Sequence, residues 1–109
     1  PANVAYSGED KELLSLLRQE RIRKILIHLM ENRKSNARKI SDELGVSPSN
    51  LSWYLKMLLE KKLVVQKRKG RFRFYSVSDE KRIIKYLVAY KASFFDKAVD
   101  RFIESWELE

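Results

Sequence analysis

The sequence predicts a mostly α-helical chain with one small β-hairpin, an α+β fold closed by a long C-terminal helix. Three patterns predict it. Apolar residues recur at three- and four-residue steps over most of the chain. Two short helical stretches meet across Gly45-Val46-Ser47. One pair of β-prone runs brackets Gly70. With 109 residues, 44% hydrophobic and 35% charged, the chain has the material for one domain with a core.

The elements follow in order. Residues 1–8 lack a period and read as an N-terminal arm. Ser7 suits the N-cap of a first helix, with Glu9 and Asp10 favourable in its first turn. Leu13, Leu14, Leu17, Ile22, Ile25, Leu26 and Leu29 then predict one long amphipathic helix, or two abutting ones, over about 9–32. Asn36 caps the next helix, whose inward face is Ala37, Ile40 and Leu44. Gly45 ends it, because glycine tolerates the left-handed backbone of a helix C-terminus. Ser47 caps a further helix with Pro48 at its first position and Leu51, Leu55 and Leu58 as its buried stripe. Two short helices joined this closely carry the helix-turn-helix signature. Leu63 to Lys67 and Arg71 to Val77 predict two strands around an Arg68-Lys69-Gly70 turn, a wing beside the helices. Ser78 is expected to cap a last helix reaching about Trp106. The domain would then span 9–78, with 79–109 left as a dimerisation helix.

Composition excludes several function classes. Cysteine is absent, which removes disulfides, thiolate metal sites and a cysteine nucleophile. His28 is the sole histidine, so neither a metal cluster nor a catalytic triad is expected. His28 itself reads as a packed or surface side chain. No glycine-rich phosphate loop occurs, no cofactor is implied, and no acid–base or nucleophile constellation suggests an enzyme. No apolar stretch is long enough to span a membrane and no signal peptide is visible, so the expected compartment is the cytoplasm. The chain starts at Pro1 rather than Met, which reads as processing or excision, and Leu108-Glu109 reads as a cloning scar.

The net charge is +8, and its position matters more than its size. Residues 33–73 hold 12 basic residues against Asp42, Glu43 and Glu60, a net +9. The flanks hold 11 basic and 12 acidic residues. A block of one sign between balanced segments reads as the footprint of a polyanion, with double-stranded DNA the first expectation.

The run Ile40-Ser41-Asp42-Glu43-Leu44-Gly45-Val46-Ser47, followed by Leu51, Leu55, Leu58 and Leu63-Val64, resembles the winged helix-turn-helix of prokaryotic transcription regulators, the arsenic-repressor type above all. Gly70-Arg71 with Phe74-Tyr75-Ser76-Val77 resembles that family's wing. The resemblance covers about 20–78. A group of predicted archaeal regulators with tandem winged helices is also similar, and there this chain would be one domain. Three departures stand out. Lys62 replaces the usual glycine before the strand, at little cost if the turn avoids positive φ. Trp53 replaces a common arginine or polar residue. The metal-binding cysteines and histidines of metal-sensing members are absent, so metal sensing is not implied.

The resemblance implies that the helix after Ser47 enters the major groove and offers Ser49, Asn50, Ser52 and Trp53 to base edges. Asn50 can pair bidentately with adenine, the serines can meet several edges, and Trp53 can press on a thymine methyl or pack on Met57. Arg38, Lys39 and Lys56, with the wing residues Lys67, Arg68, Lys69, Arg71 and Arg73, are the expected backbone contacts. Arg33 and Lys34 can assist them. Tyr86, Tyr90, Phe94, Phe95, Phe102 and Trp106 give the last helix the aromatic anchors of a homodimer interface. A protein-docking module using Trp53 and the C-terminal helix is the competing reading, and RNA binding through the hairpin aromatics is a third.

Overall fold

A computed structural model of the chain describes residues 8–33 and 35–107. Ser7, Lys34, most of the N-terminal arm and Leu108-Glu109 lie outside the described residues. The elements are α1 (Gly8–Leu17), α2 (Glu20–Glu31), α3 (Ala37–Leu44), α4 (Pro48–Glu60), β1 (Val64–Lys69), β2 (Phe72–Val77), α5 (Glu80–Phe94) and α6 (Lys97–Glu107). Gly8 therefore belongs to α1, not to the arm.

The first apolar run forms two abutting helices. The break falls at Arg18-Gln19, where Gln19 turns extended at the start of α2. The carbonyls of Leu17 and Arg18 at the end of α1 are met by the guanidinium of Arg23, at 2.9 and 3.0 Å. A side chain from α2 thus satisfies acceptors that a helix C-terminus leaves open. α2 is the central element, burying Ile22, Ile25, Leu26 and Leu29.

The helix-turn-helix forms as its caps predict. The Asn36 side chain accepts from the Lys39 N–H at 2.8 Å. Gly45 ends α3 at φ 66°, ψ 29°. The Ser41 hydroxyl donates to the Val46 carbonyl, which fixes the turn from inside. The Ser47 hydroxyl accepts from the Asn50 N–H at 3.3 Å, and Pro48 opens α4. Ile40, Leu51 and Leu58 from these helices are fully buried, each worth about 1.5–3 kcal/mol relative to exposure.

β1 and β2 pair antiparallel, with Val64 opposite Val77 at the base and Lys69 opposite Phe72 at the tip. The turn is Gly70-Arg71, with Gly70 at φ 63°, rather than Arg68-Lys69-Gly70. Two-residue hairpin turns with glycine first match the twist of the strands. A bridge between Ser35 and Tyr75 ties the α2–α3 turn to β2.

Lys62 does adopt positive φ, 62°, so the turn before β1 keeps the backbone that glycine would favour. A side chain there costs about 1 kcal/mol. Lys62→Gly is expected to stabilise the fold by up to about that amount, less the entropy glycine adds to the unfolded chain. The check is the denaturant midpoint; a lower midpoint would refute the strain.

The C-terminal stretch is two helices, not one. Asp79 caps α5, accepting from the Arg82 N–H at 3.2 Å. The Ser78 hydroxyl instead donates to the Lys62 carbonyl at 2.7 Å. Phe95 takes the left-handed conformation, φ 49°, ψ 45°, and separates α5 from α6. Asp96 starts α6, its side chain accepting from the Ala98 N–H at 3.0 Å. The break has a simple cause. At about 100° per residue, the centres of the buried stripes of α5 (Ile83, Ile84, Leu87) and α6 (Val99, Phe102, Ile103) would lie about 107° apart on one straight helix. Turning at Phe95 lets both reach one core, and α6 packs on α2 and α5. Ile83, Leu87, Val99 and Ile103 join the cluster that holds Leu26, Ile40 and Leu58. Helices α2–α4 with the β1–β2 ribbon make a winged helix-turn-helix, framed by α1, α5 and α6.

Candidate nucleic-acid interface

α3, α4 and the hairpin enclose an open groove of about 680 Å3. Arg38 reaches it from α3, Ser52 and Lys56 from α4, and Gln66, Arg73 and Tyr75 from the hairpin. The floor is apolar, with Leu51, Leu55 and Leu59 beneath the polar rim. Asp42 is the acidic side chain on its wall. Tyr75 is buried, and its hydroxyl accepts from the Gln66 amide at 3.1 Å, which holds both against α4.

The α4 residues expected to face bases are all exposed. Ser49, Ser52, Trp53 and Lys56 fall at helical steps of three and four and share one face, with Asn50 beside it. Trp53 is 63% exposed and touches Tyr54 edge-on, with ring centroids 5.0 Å apart. Its ring is therefore presented to solvent rather than packed in the core.

The hairpin register divides the wing cations, because cross-strand partners share a face and successive residues alternate. Gln66 and Arg68 pair with Tyr75 and Arg73 on the face turned to the α3–α4 groove. Lys67 and Lys69 pair with Phe74 and Phe72 on the opposite face. Arg71 sits in the turn.

Ion pairing separates the cations further. Arg33 pairs with Glu80 at 3.0 Å, and Lys61 pairs with Glu12. Among the described residues, Arg38, Lys39, Lys56, Lys62, Lys67, Arg68, Lys69, Arg71 and Arg73 make no ion pair within the chain. So much uncompensated charge on the helix-turn-helix and wing raises the local potential where an anion would sit.

Two polar clusters escaped the sequence reading. Arg23 is 5% exposed, donates from Nε to Asp96 Oδ2 at 3.1 Å, and lies 4.7 Å from the centre of the Phe94 ring. Its position between Ile22 and Ile25, on the apolar face that also carries Leu26, Ile27 and Met30, is the signal that marks it as buried. His28 is buried as well. The Ser35 hydroxyl donates its one hydrogen to the Asn32 carbonyl at 2.7 Å, so it accepts from His28 Nε2 at 3.3 Å. His28 Nδ1 faces Glu43 Oε2 at 3.3 Å and the Asn32 amide at 3.4 Å. The histidine is thus a structural link between α2, α3 and the turn that joins them. No group of acidic and histidine side chains suited to a metal ion occurs among the described residues.

The aromatic residues expected at a dimer interface are placed unevenly. Tyr86 and Phe102 are buried within the chain, and Tyr90 and Phe94 are half-buried. The Tyr86 and Tyr90 rings stack at 6.4 Å. Phe95 is 94% exposed and Trp106 45% exposed, and Val88 of α5 is also exposed.

The fold and this face define a winged helix-turn-helix protein with a basic surface formed by α3, α4 and the wing. A family model described as winged helix-turn-helix DNA-binding matches residues 18–65. Solved structures agree over more of the chain. HlyU from Vibrio cholerae is similar at 25% identity and a TM-score of 0.66, covering 78% of this chain and 91% of that one. The transcriptional repressor PagR of Bacillus anthracis is similar at 23% identity and a TM-score of 0.65, covering 74% and 92%. The transcriptional repressor BigR from Xylella fastidiosa is similar at 21% identity and a TM-score of 0.63, covering 80% and 96%. No curated protein matches the sequence.

Proposed function

We infer that the chain is a sequence-specific regulator of transcription that binds double-stranded DNA in the cytoplasm as a homodimer, of the arsenic-repressor type, and is not an enzyme. The observation that carries this reading is the set of uncompensated cations on α3, α4 and the wing around an open groove. α4 enters the major groove, where Ser49, Asn50, Ser52 and Trp53 meet base edges. Arg38, Lys39, Lys56 and the wing cations hold the phosphates on either side. The similarity to HlyU, PagR and BigR supports the assignment.

Val88, Phe95 and Trp106 are the exposed large apolar side chains of the C-terminal helices and are what such a dimer would cover. Two copies double the DNA footprint and read two half-sites. Among the described residues no helix is long and apolar enough to cross a membrane.

Selection of bound duplexes from a random DNA pool tests the reading. The expected product is an inverted repeat whose half-sites lie about one helical turn apart. No enrichment, together with a protein partner lost on Trp53→Ala, would replace DNA reading by protein docking. On the recovered site, Asn50→Ala is expected to cost about 1–3 kcal/mol of discrimination at one base pair. Unchanged discrimination would remove Asn50 from base reading.

A further inference from the structure

The wing tip carries a side chain that phosphate binding does not explain. Phe72 begins β2 directly after the Gly70-Arg71 turn and is 57% exposed. Its ring touches Phe74, with centroids 6.3 Å apart and planes tilted by 32°. The hairpin's buried residues, Val64, Tyr75 and Val77, lie toward its base, so Phe72 adds nothing to the core. On its face stand Lys69 as cross-strand partner and Lys67 opposite Phe74, with Arg71 in the adjoining turn, none of them paired with a carboxylate among the described residues. The tip is an apolar ring inside a cluster of cations.

We propose that Phe72 is a minor-groove wedge. It enters the groove flanking the major-groove segment read by α4 and pushes between two stacked base pairs. The cations around it hold the phosphates on both sides of that step. The inference rests on the DNA-binding reading above and adds to it a residue that selects DNA by its deformability. With its side chains a two-stranded ribbon is wider than a minor groove about 6 Å across, so only the tip enters, and its entry widens the groove. The two-residue turn leaves Arg71 and Phe72 at that tip. A phenyl ring makes no hydrogen bonds to bases, so it selects steps that unstack easily, the pyrimidine–purine steps TA and CA/TG, and bends the duplex toward the major groove.

The test uses the full chain and a 30-base-pair duplex recovered from the random pool, labelled at its ends with a donor and an acceptor dye. Wild-type protein at saturation is expected to raise energy transfer, as a bent duplex brings its ends together. Phe72→Ala is expected to return transfer to the value of the free duplex while weakening binding by about tenfold. Phe72→Leu keeps an apolar wedge and should keep most of the bend. Both variants should fold, since the ring is exposed and lies at the tip, away from the hairpin's buried residues. A repeat of the pool selection with Phe72→Ala should lose the preference for a pyrimidine–purine step beside each half-site. An equal bend with wild type and Phe72→Ala at saturation overturns the wedge and leaves DNA binding standing. Failure of the wild type to bind duplex DNA overturns both.

Discussion

Arg23→Ala is expected to destabilise the fold by about 3–5 kcal/mol, the range for breaking one side of a buried ion pair. Three losses coincide. Asp96, whose side chain is 11% exposed, would keep a charge with no cation beside it. The carbonyls of Leu17 and Arg18 would lose the donors that reach them at 2.9 and 3.0 Å. The Phe94 ring would lose the guanidinium stacked 4.7 Å from its centre. A domain of this size has about 5–15 kcal/mol in all, so the variant stands close to unfolding. Arg23→Lys keeps the charge but cannot reach two carbonyls and a carboxylate with one planar fork, so it should fall between. The measurement is the denaturant midpoint at neutral pH with an unchanged slope. Adding Asp96→Ala to Arg23→Ala should cost less than the two single changes summed, by about 1–3 kcal/mol. A single-variant cost below about 1 kcal/mol would show that the buried guanidinium contributes nothing beyond its desolvation.

That cluster also shows where the sequence stops being readable. The helix-turn-helix is legible because its signals are local: Asn36, Gly45 and Ser47 each satisfy a backbone group within four residues, and Pro48 stands where a helix needs no N–H. The C-terminal break is not, because its cause is distant. Arg23 lies 73 residues from Asp96 along the chain and claims it only once α1, α2 and α6 have packed. The misfit between the stripes of Ile83, Ile84, Leu87 and of Val99, Phe102, Ile103 is the local clue, visible once the angle is counted. Ser78 and Asp79 are both good caps, and the choice is made by the Lys62 carbonyl, which takes the serine hydroxyl. At the wing, a turn over Arg68-Lys69-Gly70 would pair Lys67 with Arg71. The observed two-residue turn pairs Lys67 with Phe74, which changes the faces that the strands present. Composition could place five cations on the hairpin, but only the register says that Arg68 and Arg73 share the face with Gln66 and Tyr75 while Lys67 and Lys69 share the face with Phe72 and Phe74.

The division of cations leads to the largest expected effect on binding. Arg38, Lys56 and Arg73 come from three different elements and meet at one groove. If each neutralises one phosphate, replacing all three by alanine removes about 0.9 per residue from the slope of log K against log salt, about 2.7 in total. Counterion release at 0.1 M salt is then worth about 500-fold in affinity, and the difference from wild type should close as salt approaches 1 M. Stability should change little, because Arg38, Lys56 and Arg73 are exposed and make no ion pair among the described residues. The matched control is Lys85→Ala, Lys91→Ala and Arg101→Ala, exposed residues of α5 and α6 with the same loss of charge. A surface acting through net charge alone would weaken equally in both triple variants. A site built from the helix-turn-helix and the wing has its salt slope lowered only in the first. Equal slopes in the two variants would mean that the groove between α3, α4 and the hairpin is not where the phosphate backbone lies.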